Sequence, residues 1–70
     1  MEWIGTLRYV DLGAGQWVLE QEEGGEMPLV GAVPAHLRDH EVVVQGRRVD
    51  ALGFGRSMQR SIEVRDIRPA

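Results

Sequence analysis

The sequence predicts an all-β domain of five strands and one short helical link, closed into a small barrel. Three observations predict it. Apolar residues alternate with polar ones at a period of two along most of the chain, and no i, i+3, i+4, i+7 pattern lasts long enough for a substantial helix. Glycine- and proline-rich punctuation divides the alternating runs into five. Two runs, Leu7 to Val10 and Val64 to Ile67, step by three between inward positions, which predicts a β-bulge in each.

The first strand is expected over Glu2 to Val10, with Trp3, Gly5 and Leu7 on one face and Ile4, Thr6 and Arg8 on the other, ending before Gly13-Ala14-Gly15. The second covers Gln16 to Gln21, Trp17 and Leu19 inward, Val18 and Glu20 outward. Glu23-Gly24-Gly25-Glu26 supplies a hairpin turn, because adjacent glycines accept the positive φ of tight turns. The third strand, Met27 to Val30, points Met27 and Leu29 inward. Its Pro28 belongs at an edge or on a side that donates no ladder bond. Pro34 to His40 forms the helical link, anchored by Leu37. The fourth strand, Glu41 to Val49, and the fifth, Arg60 to Arg68, bury Val42, Val44, Ile62, Val64 and Ile67.

Length and composition narrow the class. Seventy residues make one domain, 1–70, which buries only about 60% of the surface its unfolded chain exposes. Cysteine is absent, so disulfides, thiolate zinc sites and a thiol nucleophile are excluded. The opening Met1-Glu2-Trp3-Ile4 is no signal peptide, and no apolar run reaches the ~18–20 residues that span a bilayer. A cytoplasmic protein without membrane partners is the expectation. Residues 1–35 carry one arginine against six carboxylates, whereas residues 36–70 carry seven arginines against five. The net charge of −3 disfavours strong non-specific nucleic-acid binding, which depends on neutralising phosphates.

The order strand-strand-strand-helix-strand-strand is that of the OB (oligonucleotide/oligosaccharide-binding) fold, a Greek-key barrel. Gly5-Thr6-Leu7-Arg8-Tyr9-Val10, Gln16-Trp17-Val18-Leu19-Glu20, Pro28-Leu29-Val30-Gly31, Leu37-Arg38, Val42-Val43-Val44-Gln45-Gly46 and Ile62-Glu63-Val64-Arg65-Asp66-Ile67 carry the pattern. On these residues the chain resembles small bacterial OB-fold families, mostly uncharacterised. The resemblance implies an OB-like barrel whose strand 2–3 face and first and last hairpin loops bind, and it implies no catalytic signature and no cofactor.

Catalytic and metal motifs fail on context. His36 and His40 have the i, i+4 spacing of a metal pair, yet Leu37 stands where a His-Glu-x-x-His helix has its glutamate, so no metal site is expected. Gly13-Ala14-Gly15 and Gly53-Phe54-Gly55 open no long helix and precede no Lys-Ser/Thr pair, so they read as turns. No nucleophile elbow selects Ser57 or Ser61, and Glu22-Glu23 sits in an exposed turn. Together these features predict a non-enzymatic module.

The binding signal lies in Arg47 to Arg60, with four arginines against Asp50 around Leu52, Phe54 and Met58. Arginines beside an aromatic residue on a hairpin suit single-stranded nucleic acid, guanidinium groups on phosphates and an aromatic face under a base. Trp3 and Trp17 have core phase, which leaves Tyr9 as the exposed aromatic of the first half. The expected ligand-binding residues are therefore Arg8, Tyr9, Arg47, Arg48, Phe54, Arg56 and Arg60. The alternative is a protein-interaction or adaptor module, self-associating or docking a partner through outward Ile4, Val18 and Val43, with no nucleic-acid binding.

Overall fold

The structure is a computed structural model describing residues 1–11, 13–52 and 58–70, with the side chains of all of these except 51, 52, 58 and 59. Its strands are β1 (Glu2–Val10), β2 (Gln16–Gln21), β3 (Gly25–Val30), β4 (Glu41–Leu52) and β5 (Met58–Pro69). They close in the order β1-β2-β3-β5-β4, with β4 returning to β1, an OB-like barrel. Every neighbouring pair is antiparallel except β3 and β5, whose parallel contact consists of Leu29↔Ile62 and Val30↔Glu63.

β1 serves both halves of the barrel. Glu2 to Thr6 pairs with β4, and Thr6 to Val10 pairs with β2. Gly5 sits just before the change of partner, where a Cβ would run into the carbonyl oxygen of Glu20. Past Thr6 the vacated side of β1 is taken by the end of the link: the Leu7 N–H donates to His40 O (3.0 Å) and the Asp39 N–H to Leu7 O (2.7 Å).

The β5 bulge is present. Gln45 pairs with Asp66 and Gly46 with Val64, which leaves Arg65 as the extra residue and turns both Val64 and Ile67 toward the core. The bulge expected in β1 is not. Its register with β2 runs unbroken from Thr6↔Glu20 to Val10↔Gln16, so Tyr9 keeps the phase of Leu7 and Val10 is half-buried only as the strand's last residue.

The core is Trp3, Leu7, Leu19, Leu29, Leu37, Val42, Val44 and Ile62, with Trp17, Met27, Val33, Val64 and Ile67 packed against it half-buried. Leu37 comes from the link, a single 3₁₀ turn, Ala35–Leu37, shorter than the helix expected over Pro34 to His40. Val18 corrects the sequence reading. It lies outside the core cluster on the outward face, yet its exposure is 0%. Its neighbours across the two ladders, Arg8 and Pro28, flank it on that face.

Pro28 shapes one end of the barrel. The three-residue turn between β2 and β3, with Gly24 at φ +83° and its N–H donating to Gln21 O (3.0 Å), closes on the Gln21↔Gly25 pair. Alternation from that pair turns the main-chain groups of Glu26 and Pro28 away from β2 and toward β5. Pro28 has no N–H to give, and the parallel ladder begins only at Leu29. Upstream of Leu29 the strands stand apart.

Candidate functional site

The seven expected binding residues do not form one surface. β1 and β4 run in opposite directions, so Arg8 and Tyr9 come out at the end of the barrel that holds the link, while Arg48 and Arg60 come out at the other.

At the link end the candidates are engaged within the chain. Arg8 donates from Nη1 to Asp39 Oδ1 at 3.0 Å, and its Nε lies 3.8 Å from Glu20 Oε2. Tyr9 meets Trp17 edge-on, ring centroids 4.9 Å apart at 62°, and the Arg38 guanidinium carbon stands 5.5 Å from the centre of its ring. The Tyr9 hydroxyl fills the space that a Cβ at Gly15 would need, and Gly15, at φ +85°, has none. The face expected to stack a base is thus covered by a cation already in contact with it.

Arg47 is also engaged. Directly across the β4–β5 ladder from Glu63, it forms a fork, Nε to Oε1 at 2.8 Å and Nη2 to Oε2 at 3.5 Å. The open depression of about 600 Å³ over the bulge, bordered by Met1, Gly46, Arg47 and Arg65, therefore has one of its two arginines neutralised in place.

Arg48 and Arg60 differ. Arg48 lies opposite Ile62 and Arg60 opposite Asp50, so both occupy one face of the β4–β5 ladder, one diagonal step apart. Neither forms an ion pair among the described residues. They border an open depression of about 540 Å³ where β3 and β5 stand apart, together with Trp3, Gln21, Glu26, Met27 and Pro28. Trp3, 9% exposed, belongs to the core and borders the depression with only a small part of its surface. Phe54 and Arg56 lie outside the described residues.

The resemblance implies binding at the strand 2–3 face without naming residues, and Gln21, Glu26, Met27 and Pro28 on the β2–β3 side of this mouth are not among the seven expected residues. The one local signal on that side was Pro28, which marked a strand edge without saying what faced it. The metal pair loses its geometric basis, since the 3₁₀ turn ends at Leu37 and His40 belongs to the segment hydrogen-bonded to β1. Among the described residues no group of three or more His, Cys, Asp or Glu is placed to hold a metal ion, every carboxylate and imidazole is exposed, and no helix is long and apolar enough to cross a membrane. Compared with known protein families, curated proteins and solved structures, the chain matches none.

Proposed function

We propose that this chain is a non-enzymatic, cytoplasmic binding module of the OB type whose β3/β4–β5 mouth takes a short stretch of single-stranded nucleic acid. The observation that carries the reading is the pair Arg48 and Arg60, on one face of one ladder, with no ion-pair partner among the described residues. Such guanidinium groups are available to phosphates, whereas those of Arg8 and Arg47 must first give up a carboxylate. In sequence Phe54 and Arg56 follow β4 directly and are the aromatic residue and the third cation that this reading calls for. The strand 2–3 face itself is a poor polyanion surface, because Glu20 and Glu26 stand opposite each other on it.

Titration of fluorescent single-stranded DNA and RNA tests this. Two phosphate contacts give a log–log salt slope of about −1.4, and a third brings it to about −2. Arg48→Ala and Arg60→Ala each flatten the slope by about 0.7, while Arg8→Ala and Arg47→Ala leave it nearly unchanged. Absence of binding at low salt removes the reading.

The second reading, a protein-interaction module, then stands on Ile4, 60% exposed on the outer face directly across the ladder from half-buried Val43. Val18, being buried, does not contribute to that patch.

A further inference from the structure

Met1 and Gly46 form a complete antiparallel pair: the Gly46 N–H donates to Met1 O at 3.1 Å, and the Met1 amine donates to Gly46 O at 3.2 Å. Main-chain groups alternate sides along a strand, so those of Arg48 and Asp50 point the same way as those of Gly46, into the continuation of the β1 lane. Among the described residues no strand occupies that lane beyond Met1, while the opposite side of β4 is paired with β5 as far as Leu52↔Met58. An open edge of this kind is a template for another strand.

The residues along the edge decide which strand fits. Arg48-Val49-Asp50 is complementary in charge to its own reverse about Val49, and the flanking Arg47 meets uncharged Ala51. We propose that a second copy of this chain pairs β4 to β4, antiparallel, about a twofold axis at Val49. Arg48 then lies opposite Asp50 of the partner subunit and Asp50 opposite Arg48 of the partner subunit, both in hydrogen-bonded positions of the new ladder, because the main-chain groups of both face the edge. Val49, whose main-chain groups face β5, meets Val49 of the partner subunit at a non-bonded position, where side chains approach most closely.

Charge selects this register over its neighbours. A shift that centres the axis on Asp50 sets two aspartates face to face, and one that centres it on Arg48 does the same with two arginines. Arg48 and Asp50 are exposed and form no ion pair among the described residues, so neither has to leave a partner. Met1, in the same lane opposite Gly46, limits the pairing to residues 47–51. The contact is short, and association belongs to the weak, transient class.

The inference goes beyond the nucleic-acid reading and does not depend on it. Arg48 would serve in both, so the test is run without nucleic acid. Sedimentation of the full chain from about 10 μM to about 1 mM at low salt should reveal a monomer–dimer equilibrium that weakens as salt is added. Arg48→Asp and Asp50→Arg should each weaken it on the order of tenfold, and the double reversal should restore it. Circular dichroism and melting curves establish that each variant is folded. A strict monomer overturns the proposal, as does failure of the folded double reversal to restore association. A dimer indifferent to positions 48 and 50 but lost on Ile4→Glu overturns it too, by moving the interface to the Ile4–Val43 patch.

Discussion

Among the described glycines, Gly46 and Gly5 are the two where an added Cβ would meet main chain most closely. A Cβ on Gly46 would run into the carbonyl oxygen of Glu63 beside the β5 bulge, and one on Gly5 into that of Glu20. In both cases the obstacle is main chain, which cannot turn aside as a side chain can. Gly46→Ala is therefore expected to destabilise the fold by about 1–3 kcal/mol or more, as overpacking does. Gly25→Ala, where the nearest atom is Gln21 Oε1 at 3.8 Å, should change little; thermal melts of the two variants make the comparison. In the core, Leu19 is fully buried and Trp17 half-buried. Leu19→Ala should cost about 2–5 kcal/mol in urea unfolding. Trp17→Ala removes a larger side chain from a site already partly solvated, so its cost should fall at or below the lower end of the ~3–5 kcal/mol typical of buried tryptophan. The arginines are a lesson at this scale too. Arg8, Arg47 and Arg48 look equivalent in sequence, and only the partners that the fold brings up, Asp39 of the link for Arg8 and Glu63 across the ladder for Arg47, distinguish the two that are neutralised.

Between elements, the decisive feature is the short parallel contact of β3 with β5. The missing N–H of Pro28 ends that ladder at Leu29 and opens the mouth that Arg48 and Arg60 border. Pro28→Ala restores a donor on the side facing β5. Hydrogen exchange should then find the new amide at position 28 protected, with weaker oligonucleotide binding as the mouth narrows; rapid exchange at that amide would show that the gap has another cause. The two expected bulges also separate at this scale. In β5 the step from Val64 to Ile67 reflects a true shift, because both residues are packed against the core on either side of Arg65. In β1 the step from Leu7 to Val10 arose from a strand end, where burial follows the neighbouring loops and ceases to report phase. The 3₁₀ turn lies between the third and fourth strands, as the sequence suggested, with Leu37 as its buried anchor, and is shorter than the span from Pro34 to His40.

For the whole molecule, a barrel of this size without a disulfide should be stable by on the order of 4–10 kcal/mol and unfold in one step, since no strand retains a core once a neighbour leaves. Tryptophan fluorescence and far-ultraviolet circular dichroism should give coincident urea transitions, Trp3 and Trp17 reporting from β1 and β2. Local sequence alone specifies five successive strands with a short link between the third and fourth, all eight core-cluster residues (Leu37 as the anchor of the link), the bulge in β5 and the turns at Gly13–Gly15 and Gly24–Gly25, because alternation, glycine and proline act over a few neighbouring residues and leave a local trace. It also determined the unequal charge of the two halves. Folding in three dimensions is what buries Val18 on an outward face, sets Arg38 over Tyr9, pairs Glu63 with Arg47, and puts Arg8 at the opposite end from Arg48 and Arg60. The Tyr9–Arg38 and Arg47–Glu63 contacts join residues 29 and 16 positions apart, Val18 is flanked by residues 10 positions away on either side, and the placement of the arginines turns on the direction in which a strand crosses the barrel. Register across the ladders and the path of the link fix them, so no local period in the chain could carry them.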